Sequence, residues 1–276
     1  MKNPDFAAHR QQYTIDKQTL SFIDIGQGPT LLFGHSYLWD ALMWAPQIEL
    51  LSQHYRCIVP DLWGHGLSDP MPSKNRNLRD ISTQMLALMD SLEVEEFSII
   101  GLSVGAMWGA ELALAAPTRV KRLVMLNSFI GYEPEITRDK YYAMLEVIKQ
   151  EQDVSTSLRA AIVPLFFAEQ QNVELVETFN TRLANLDNEQ IDTIYRLGKM
   201  IFGRRDITED ADKLTLPCLI MAGLQDKARS VLESYLMHDI IDGSQFVHIP
   251  DAGHISTLEQ PEFVNKQLSQ FLKATD

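Results

Sequence analysis

The chain has 276 residues, a length that fits one large α/β domain with an inserted subdomain. Hydrophobic residues make up 45% and charged residues 22% of the chain, which is the balance of a globular protein with an extensive core. The formal net charge of -13 repels phosphate backbones and anionic lipid headgroups, so it disfavours nucleic acid or a membrane surface as a partner.

Targeting and metal-binding signals are absent from the sequence. The first residues contain no apolar stretch of signal-peptide length, and no window approaches the length of a membrane span. Cys57 and Cys218 lie in different apolar runs without metal-type spacing, as is typical of buried small hydrophobic residues. We therefore expect a cytoplasmic protein with no metal and no cofactor.

The first half of the chain alternates strand-like and helix-like segments. Residues 12–26 alternate polar and apolar side chains around "DKQ", which predicts an antiparallel hairpin. Continuous apolar runs that predict strands buried on both faces follow at 30–35, 55–62, 97–103 and 120–129. The segments between these runs have helical spacing, most clearly at 77–94. This alternation predicts parallel strands joined by right-handed crossovers.

The pattern changes in the middle of the chain. Residues 132–213 contain only helical segments, and strand-like runs resume at 216–223 and 244–250 before a final helix. Because neither edge of 132–213 carries a Gly/Ser linker, we expect a helical cap insertion packed on a core made of 1–131 and 214–276. The fold class predicted is α/β, with a mostly parallel eight-stranded sheet and helices on both faces.

The stretch "GLSVGA" (101–106) contains the first candidate catalytic residue. A Gly-x-Ser-x-Gly pattern directly after a strand and before a helix is typical of a nucleophile elbow. Gly101 and Gly105 would be needed because side chains beside so sharp a turn would collide. Serines between glycines also occur in plain turns, but the position between strand and helix favours Ser103 as a nucleophile.

A serine hydroxyl needs a base to take its proton, and the chain has seven histidines. His254, in "IPDAGHIST", follows the last predicted strand on a loop of small residues that can lean over the sheet. His65 lies within the turn "GHG" and is more typical of a residue that shapes a turn. We therefore predict His254 as the base, the alternative being that it caps the final helix.

The imidazole in turn needs a carboxylate that fixes its tautomer and stabilises its cation. Asp226 lies just past the strand "CLIMAG" and is the favoured candidate, with Asp251 as the second. The other position used for such an acid, after "RLVML", carries Asn127, which could orient a partner but not supply a charge. The resulting order along the chain is Ser, Asp, His.

An acyl-transfer site also needs two donors for the oxyanion. One is the N–H of Val104, the residue after the serine. The other should come from the loop "HSYLWD", either Tyr37 or Ser36, and we favour the Tyr37 N–H. The alternative is that this loop only connects a strand to a helix.

These segments together resemble the α/β-hydrolase fold, in the style of small cap-bearing bacterial serine esterases. The matching pieces, in order, are "FGHSYLWD", "VPDLWGHGLSDP", "GLSVGA", "AGLQD" and "DAGHISTLEQPEFVNKQLSQFL". The sequence departs from that family at Ser36, where glycine usually follows the histidine, and at Ala106, where many members have a second glycine. Serine tolerates fewer backbone conformations than glycine, so we expect an altered oxyanion loop or a narrower substrate range.

The segment "HSYLW" also resembles the corresponding loop of haloalkane dehalogenases. Those enzymes, like epoxide hydrolases of this fold, need a carboxylate nucleophile where this chain has Ser103, so the sequence argues against both activities. The chain also lacks an HExxH motif, and "GLSVGA" lacks the lysine of a phosphate-binding loop.

The predicted reaction is acyl transfer to water through an acyl-enzyme. Ser103 attacks an ester carbonyl, His254 accepts and later returns the proton, and Asp226 holds His254. The N–H groups of Tyr37 and Val104 hold the oxyanion.

A substrate pocket would need apolar side chains near Ser103. Candidates for its lining, each of which is more often plain core, are His35, Ser36, Trp39, Met107, Phe166, Phe167 and Phe202.

Three functions stay open at the level of the sequence. The favoured one is a hydrolase of carboxylic esters with small to medium apolar groups, whose partner is a small-molecule ester. The second is hydrolysis or lysis of a carbon–carbon bond on the same triad, since fold does not set function. The third is ligand binding or signalling with little turnover. The sequence does not set the oligomeric state.

Overall fold

A central eight-stranded sheet organises the protein, whose computed structural model describes residues 5–170 and 172–274. Its strands are β1 Arg10–Ile15, β2 Gln18–Ile25, β3 Thr30–Gly34, β4 Arg56–Pro60, β5 Phe97–Leu102, β6 Val120–Leu126, β7 Cys218–Gly223 and β8 Gln245–Ile249. Their order across the sheet is β1-β2-β4-β3-β5-β6-β7-β8. β2 pairs antiparallel with β1 and β4, and the remaining pairs are parallel. The predicted α/β class with a mostly parallel eight-stranded sheet is confirmed.

Helices fill the connections between the strands. They are α1 Ala45–Leu51, α2 Leu78–Ser91, α3 Val104–Ala115, α4 Glu135–Glu151, α5 Thr156–Ile162, α6 Val173–Ala184, α7 Asn188–Phe202, α8 Val231–Ile240, α9 Ser256–Glu259 and α10 Pro261–Ala274. None of the helices in the described part of the chain combines the length and the apolar character that crossing a membrane requires.

The first helix begins later than the sequence pattern suggests. The helical spacing starts at Leu38, but the structure has a 3-10 turn at Ala41–Trp44 and an α-helix only from Ala45. The Asp40 carboxylate caps the 3-10 turn by accepting from the Leu42 N–H. Pro46 is the second residue of the α-helix, where its fixed φ suits the first turn.

The segment between β6 and β7 contains no strand among its described residues, as the pattern predicted, and α7 ties it to the sheet domain. The Arg196 guanidinium donates to the carbonyls of Met71 and Pro72, at 2.7 and 2.8 Å. The Tyr37 hydroxyl donates to the Ile194 carbonyl of α7 at 2.7 Å. These bonds fix α7 against the loops that follow β3 and β4. We interpret residues 132–213 as a cap.

The turn between β5 and α3 depends on two glycines. Ser103 has φ 56° and ψ -120°, a conformation that is costly for a residue with a side chain. A Cβ on Gly101 would lie 2.4 Å from the Ala106 nitrogen, and one on Gly105 would lie 2.0 Å from the Gly34 carbonyl oxygen. Glycine therefore lets α3 approach the end of β3 directly beneath Ser103.

Gly105→Ala is expected to lower the free energy of unfolding by about 1–3 kcal/mol, because the added methyl group overlaps the Gly34 backbone. Alanine is otherwise favoured over glycine inside a helix by about 1 kcal/mol, so a gain in stability would contradict the close contact. Urea denaturation measures the change.

Gly243→Ala is the matched control, since Gly243 has φ 70° but no atom near its Cβ position. This variant is expected to lose about 1–2 kcal/mol from local strain alone. The rate at which a fluorophosphonate probe labels Ser103 should fall only in Gly105→Ala.

Candidate active site

Ser103 lies at the end of β5, where the sheet meets the N-terminus of α3. Its backbone carbonyl accepts from the Ala106 and Met107 N–H groups and from the Ser128 hydroxyl, at 3.0, 3.1 and 2.8 Å. These three bonds hold the strained turn in place. The residue is largely buried, and it lines a cavity between the sheet and α4–α7.

His254 and Asp226 meet at the neighbouring strand ends. His254 follows β8 and Asp226 follows β7, and 2.8 Å separates the imidazole Nδ1 from the carboxylate Oδ2. Both side chains are buried, and His254 lines the same cavity as Ser103. An Nδ1–H that donates to Asp226 leaves Nε2 as the basic nitrogen. Asp251, the second candidate for the acid, lies exposed in the turn after β8.

Backbone and side-chain donors surround the Asp226 carboxylate. Oδ1 accepts from the N–H groups of Ala228 and Arg229, at 2.8 and 2.9 Å. Oδ2 accepts from the Asn127 amide at 2.9 Å in addition to His254. These donors fix the direction in which the carboxylate faces the imidazole.

Asn127 joins three loops of the site. It is buried at the end of β6 with φ 48°, and its Nδ2 also donates to the Gly253 carbonyl at 2.9 Å. Its Oδ1 accepts from the Ser256 hydroxyl at 2.9 Å. The sequence indicated only that a neutral residue at this position could orient a partner. The structure identifies that partner as Asp226, together with the backbone of the loop that carries His254.

His35 holds the loop after β3 to the loop after β4. Its ring is fully buried, with Nδ1 2.7 Å from the Ser36 carbonyl and Nε2 accepting from the Leu62 N–H at 2.7 Å. This pattern corresponds to a neutral ring that carries its proton on Nδ1. Burial lowers the pKa of His35 to about 4.

His65 supports the same loop from the other side. Its Nδ1 lies 2.9 Å from the Trp63 carbonyl, and its Nε2 accepts from the Leu38 N–H at 3.1 Å. Burial, and then the neighbouring His35, lower the pKa of His65 to about 3. The prediction that His65 shapes a turn by hydrogen bonds agrees with these contacts.

The loop "HSYLWD" has its strained backbone at Leu38 and not at Ser36, the position where the sequence departs from the family. Leu38 has φ 68°, an uncommon value for a bulky side chain, whereas Ser36 is not among the residues with positive φ. The backbone at Ser36 therefore does not require glycine. The Leu38 conformation is supported by its bond to His65.

The two predicted oxyanion donors belong to the loop after β3 and to the start of α3. Tyr37 lines the cavity. Val104 is buried behind the serine as the first residue of α3, where a helix has N–H groups without an intrahelical acceptor. Their roles remain a proposal.

The cavity has a volume of about 90 Å³ and a mostly apolar lining. Four of the predicted pocket residues line it, namely Ser36, Met107, Phe166 and Phe202. The sequence did not indicate the other lining residues from the cap and from the loop after β7, which include Tyr141, Leu145, Ile194, Ile201 and Arg229.

Three predicted pocket residues lie outside the lining, and those predictions are corrected. Both ring nitrogens of His35 are bound to backbone groups. Trp39 stacks on Phe179 with ring centroids 4.8 Å apart, and Phe167 packs edge-on against both of these rings. These aromatic side chains are therefore part of the core shared by the segment 132–213 and the loop after β3.

Side chains that could bind a metal do not cluster in the described part of the chain. Across residues 5–170 and 172–274, no cluster of three or more His, Cys, Asp or Glu side chains could hold a metal ion. Burial raises the pKa of the Cys57 and Cys218 thiols to about 12, as expected of small hydrophobic core residues.

Comparison with known proteins reveals similar hydrolases and a receptor. A family model described as alpha/beta hydrolase fold matches residues 29–261. The 3-oxoadipate enol-lactonase 1 of Acinetobacter baylyi is 26% identical over 253 residues, 89% of each chain. Karrikin insensitive 2 receptor IA of Petunia hybrida is 24% identical over 89% of this chain and 91% of the receptor. The structure of a thermophilic esterase from Thermogutta terrifontis superposes with a TM-score of 0.85 at 26% identity, covering 96% of this chain and 98% of the esterase.

The two neutral histidines are expected to make stability depend on pH. Unfolded histidine binds a proton near pH 6.5, whereas His35 and His65 stay neutral in the folded protein until about pH 4 and 3. The unfolded state therefore binds more protons in this window, and the free energy of unfolding falls as pH decreases. Each histidine contributes roughly 1.4 kcal/mol per pH unit.

His65→Gln should reduce this slope by roughly 1.4 kcal/mol per pH unit, the contribution of one histidine. Glutamine can accept from the Leu38 N–H and donate to the Trp63 carbonyl without titrating. Urea denaturation between pH 6.5 and 5 measures the slope. Asn185→Ala, at the exposed end of α6, removes no titratable group and should keep the wild-type slope. Equal slopes for His65→Gln and the wild type would contradict the neutral state of His65.

Asn127→Ala is expected to slow labelling of Ser103 by a fluorophosphonate about tenfold or more, because Asp226 loses one donor and His254 becomes less firmly oriented. Asn185→Ala, at the exposed end of α6, is the matched control and should label at the wild-type rate. An unchanged labelling rate in a folded Asn127→Ala protein would show that Asn127 does not position the pair.

Proposed function

This chain belongs to the α/β-hydrolase fold family, and we propose that it is a serine hydrolase that cleaves carboxylic esters, including cyclic ones. The observation that carries the proposal is the 2.8 Å contact between His254 and Asp226 beside a cavity that Ser103 and His254 both line. That arrangement matches the roles of nucleophile, base and orienting acid.

The proposed reaction proceeds in two acyl transfers. The Ser103 Oγ attacks the ester carbonyl while His254 Nε2 takes its proton, and Asp226 stabilises the imidazolium. The Tyr37 and Val104 N–H groups donate to the oxyanion of the tetrahedral intermediate. His254 then protonates the departing alcohol, and a water activated by the same nitrogen releases the acid from Ser103.

The cavity and the relatives support this substrate class. An apolar lining around the serine suits the carbon chain of a small or medium ester. The relative named an enol-lactonase acts, by its name, on a cyclic ester, and the structural relative is named an esterase. Hydrolysis of an activated carbon–carbon bond and receptor-like binding are the other outcomes that the following test separates.

Wild-type protein is expected to hydrolyse p-nitrophenyl esters from acetate upwards, with rates that fall by laurate because the cavity is small. Ser103→Ala should lower kcat by about 10³-fold or more, since no other nucleophile replaces the hydroxyl. Release of p-nitrophenol measures both rates. Ser157→Ala, an exposed serine on α5, is the matched control and should retain the wild-type rate.

A folded wild-type protein that cleaved none of these esters would overturn the ester proposal. Turnover of a vinylogous diketone would then indicate carbon–carbon bond hydrolysis. Tight binding without turnover would indicate a receptor-like role.

A further inference from the structure

A buried ionic cluster borders the proposed active site. The Glu133 Oε2 accepts from Arg204 Nη1 at 2.9 Å and from Arg229 Nη2 at 2.6 Å. The side chain of Glu133 is 2% exposed, that of Arg204 is 3% exposed and that of Arg229 is 6% exposed. They come from the loop after β6, the end of α7 and the loop before α8, so the cluster joins the cap to the sheet domain.

A second carboxylate completes the cluster. Glu233 accepts from Arg229 Nη1 at 3.1 Å with one oxygen, and its other oxygen caps the first turn of α8 through Ser230. Two guanidinium groups thus face two carboxylates. Burial alone would lower the pKa of Arg229, but Glu133 and Glu233 beside it raise that pKa, whereas burial, and then the neighbouring Arg229, lower the pKa of Arg204.

The hydrogen bonds of the cluster are incomplete. Arg204 Nε and Nη2 are buried without a hydrogen-bond partner among the described residues. Buried donors without acceptors are costly, and a charged guanidinium is among the most costly. Arg204 is not among the residues that line the cavity, so a ligand in the cavity would meet the cluster through Arg229.

Arg229 connects the cluster with the cavity. Among the residues that line the cavity, it is the one with a permanent charge. Its backbone N–H donates to Asp226, so its position is fixed relative to the pair that faces Ser103. Its Nη1 and Nη2 each donate to one carboxylate, but a guanidinium has five N–H groups, so donors remain for a further carboxylate. The low dielectric of an apolar cavity strengthens such a bond.

We propose that the substrate is an ester that also carries a carboxylate, joined to the ester by a short apolar chain, and that Arg229 binds this carboxylate. The inference rests on the proposed ester hydrolysis. The apolar lining holds the chain, Ser103 meets the ester at one end, and Arg229 meets the charge at the other. Glu133 and Glu233 hold the Arg229 guanidinium in position.

Two pairs of esters test the subsite. Mono-p-nitrophenyl adipate and p-nitrophenyl hexanoate differ by a carboxylate on the acyl side, and p-hexanoyloxybenzoate and phenyl hexanoate differ by one on the alcohol side. Wild-type kcat/KM is expected to favour the charged member of at least one pair by about tenfold to a hundredfold, despite the net charge of -13 on the protein. No preference in either pair would overturn the subsite.

Variants assign the preference to one side chain. Arg229→Gln should reduce the charged-to-neutral ratio of kcat/KM by about tenfold or more, and Arg229→Lys should reduce it less because the charge remains. Arg79→Gln removes an arginine that pairs with the buried Glu111 outside the cavity, and the ratio should stay at the wild-type value. An unchanged ratio in folded Arg229→Gln would overturn the assignment. If Arg229→Gln fails to fold, the ratio is compared between the wild type and Arg229→Lys instead, and equal ratios would overturn the assignment.

A binding measurement separates this inference from the proposed function. Ser103→Ala is expected to bind monomethyl adipate more tightly than methyl hexanoate in calorimetric titration, and Ser103→Ala/Arg229→Lys should lose most of that difference. Binding without wild-type turnover of any ester would overturn ester hydrolysis and support the subsite. Turnover of neutral esters without preference for the charged ones would support ester hydrolysis and overturn the subsite.

Discussion

The buried carboxylate of Asp226 is the contact on which the candidate site depends. Its two oxygens accept from the backbone that leads to α8, from Asn127 at the end of β6 and from His254 after β8. One side chain therefore sets the relative positions of three neighbouring strand ends. A parallel sheet brings these ends to one edge, but the hydrogen bonds decide how each loop is oriented there. The proposed specificity of Arg229 depends on the same carboxylate, because Asp226 holds its backbone nitrogen.

A second constraint acts on the opposite wall of the site. The loop after β3 carries the left-handed Leu38, and two neutral histidines hold this loop by backbone bonds. Tyr37 in this loop lines the cavity, and its hydroxyl donates to the Ile194 carbonyl of α7. Any displacement of the cap would therefore be transmitted to the backbone proposed to hold the oxyanion.

The strands and the candidate triad could be predicted from sequence because both depend on local order along the chain. Ser103 and Asp226 each follow a continuous apolar run and His254 follows the last strand-like segment, and parallel strands bring such positions together. The pocket could not be predicted in the same way. Trp39, Phe166 and Phe167 all pack against Phe179, but Phe166 also lies against His254, with ring centroids 5.4 Å apart, and it lines the cavity. Which ring reaches the cavity depends on this three-dimensional packing and not on hydrophobicity.

The buried ionic cluster could not be predicted from the sequence. Arginines near the ends of helices are ordinary surface residues by composition, and nothing in the residues around Arg204 or Arg229 indicates burial. Their burial results from the approach of the cap to the loops after β6 and β7, which brings Glu133 between two guanidinium groups. The serine, histidine and aspartate come from the sheet domain, whereas the cluster exists only where the cap meets that domain. On the proposed assignments, the reaction would depend on the sheet domain alone, whereas the preference would depend on Arg229 of the sheet domain and on Glu133, which contacts it from the segment 132–213.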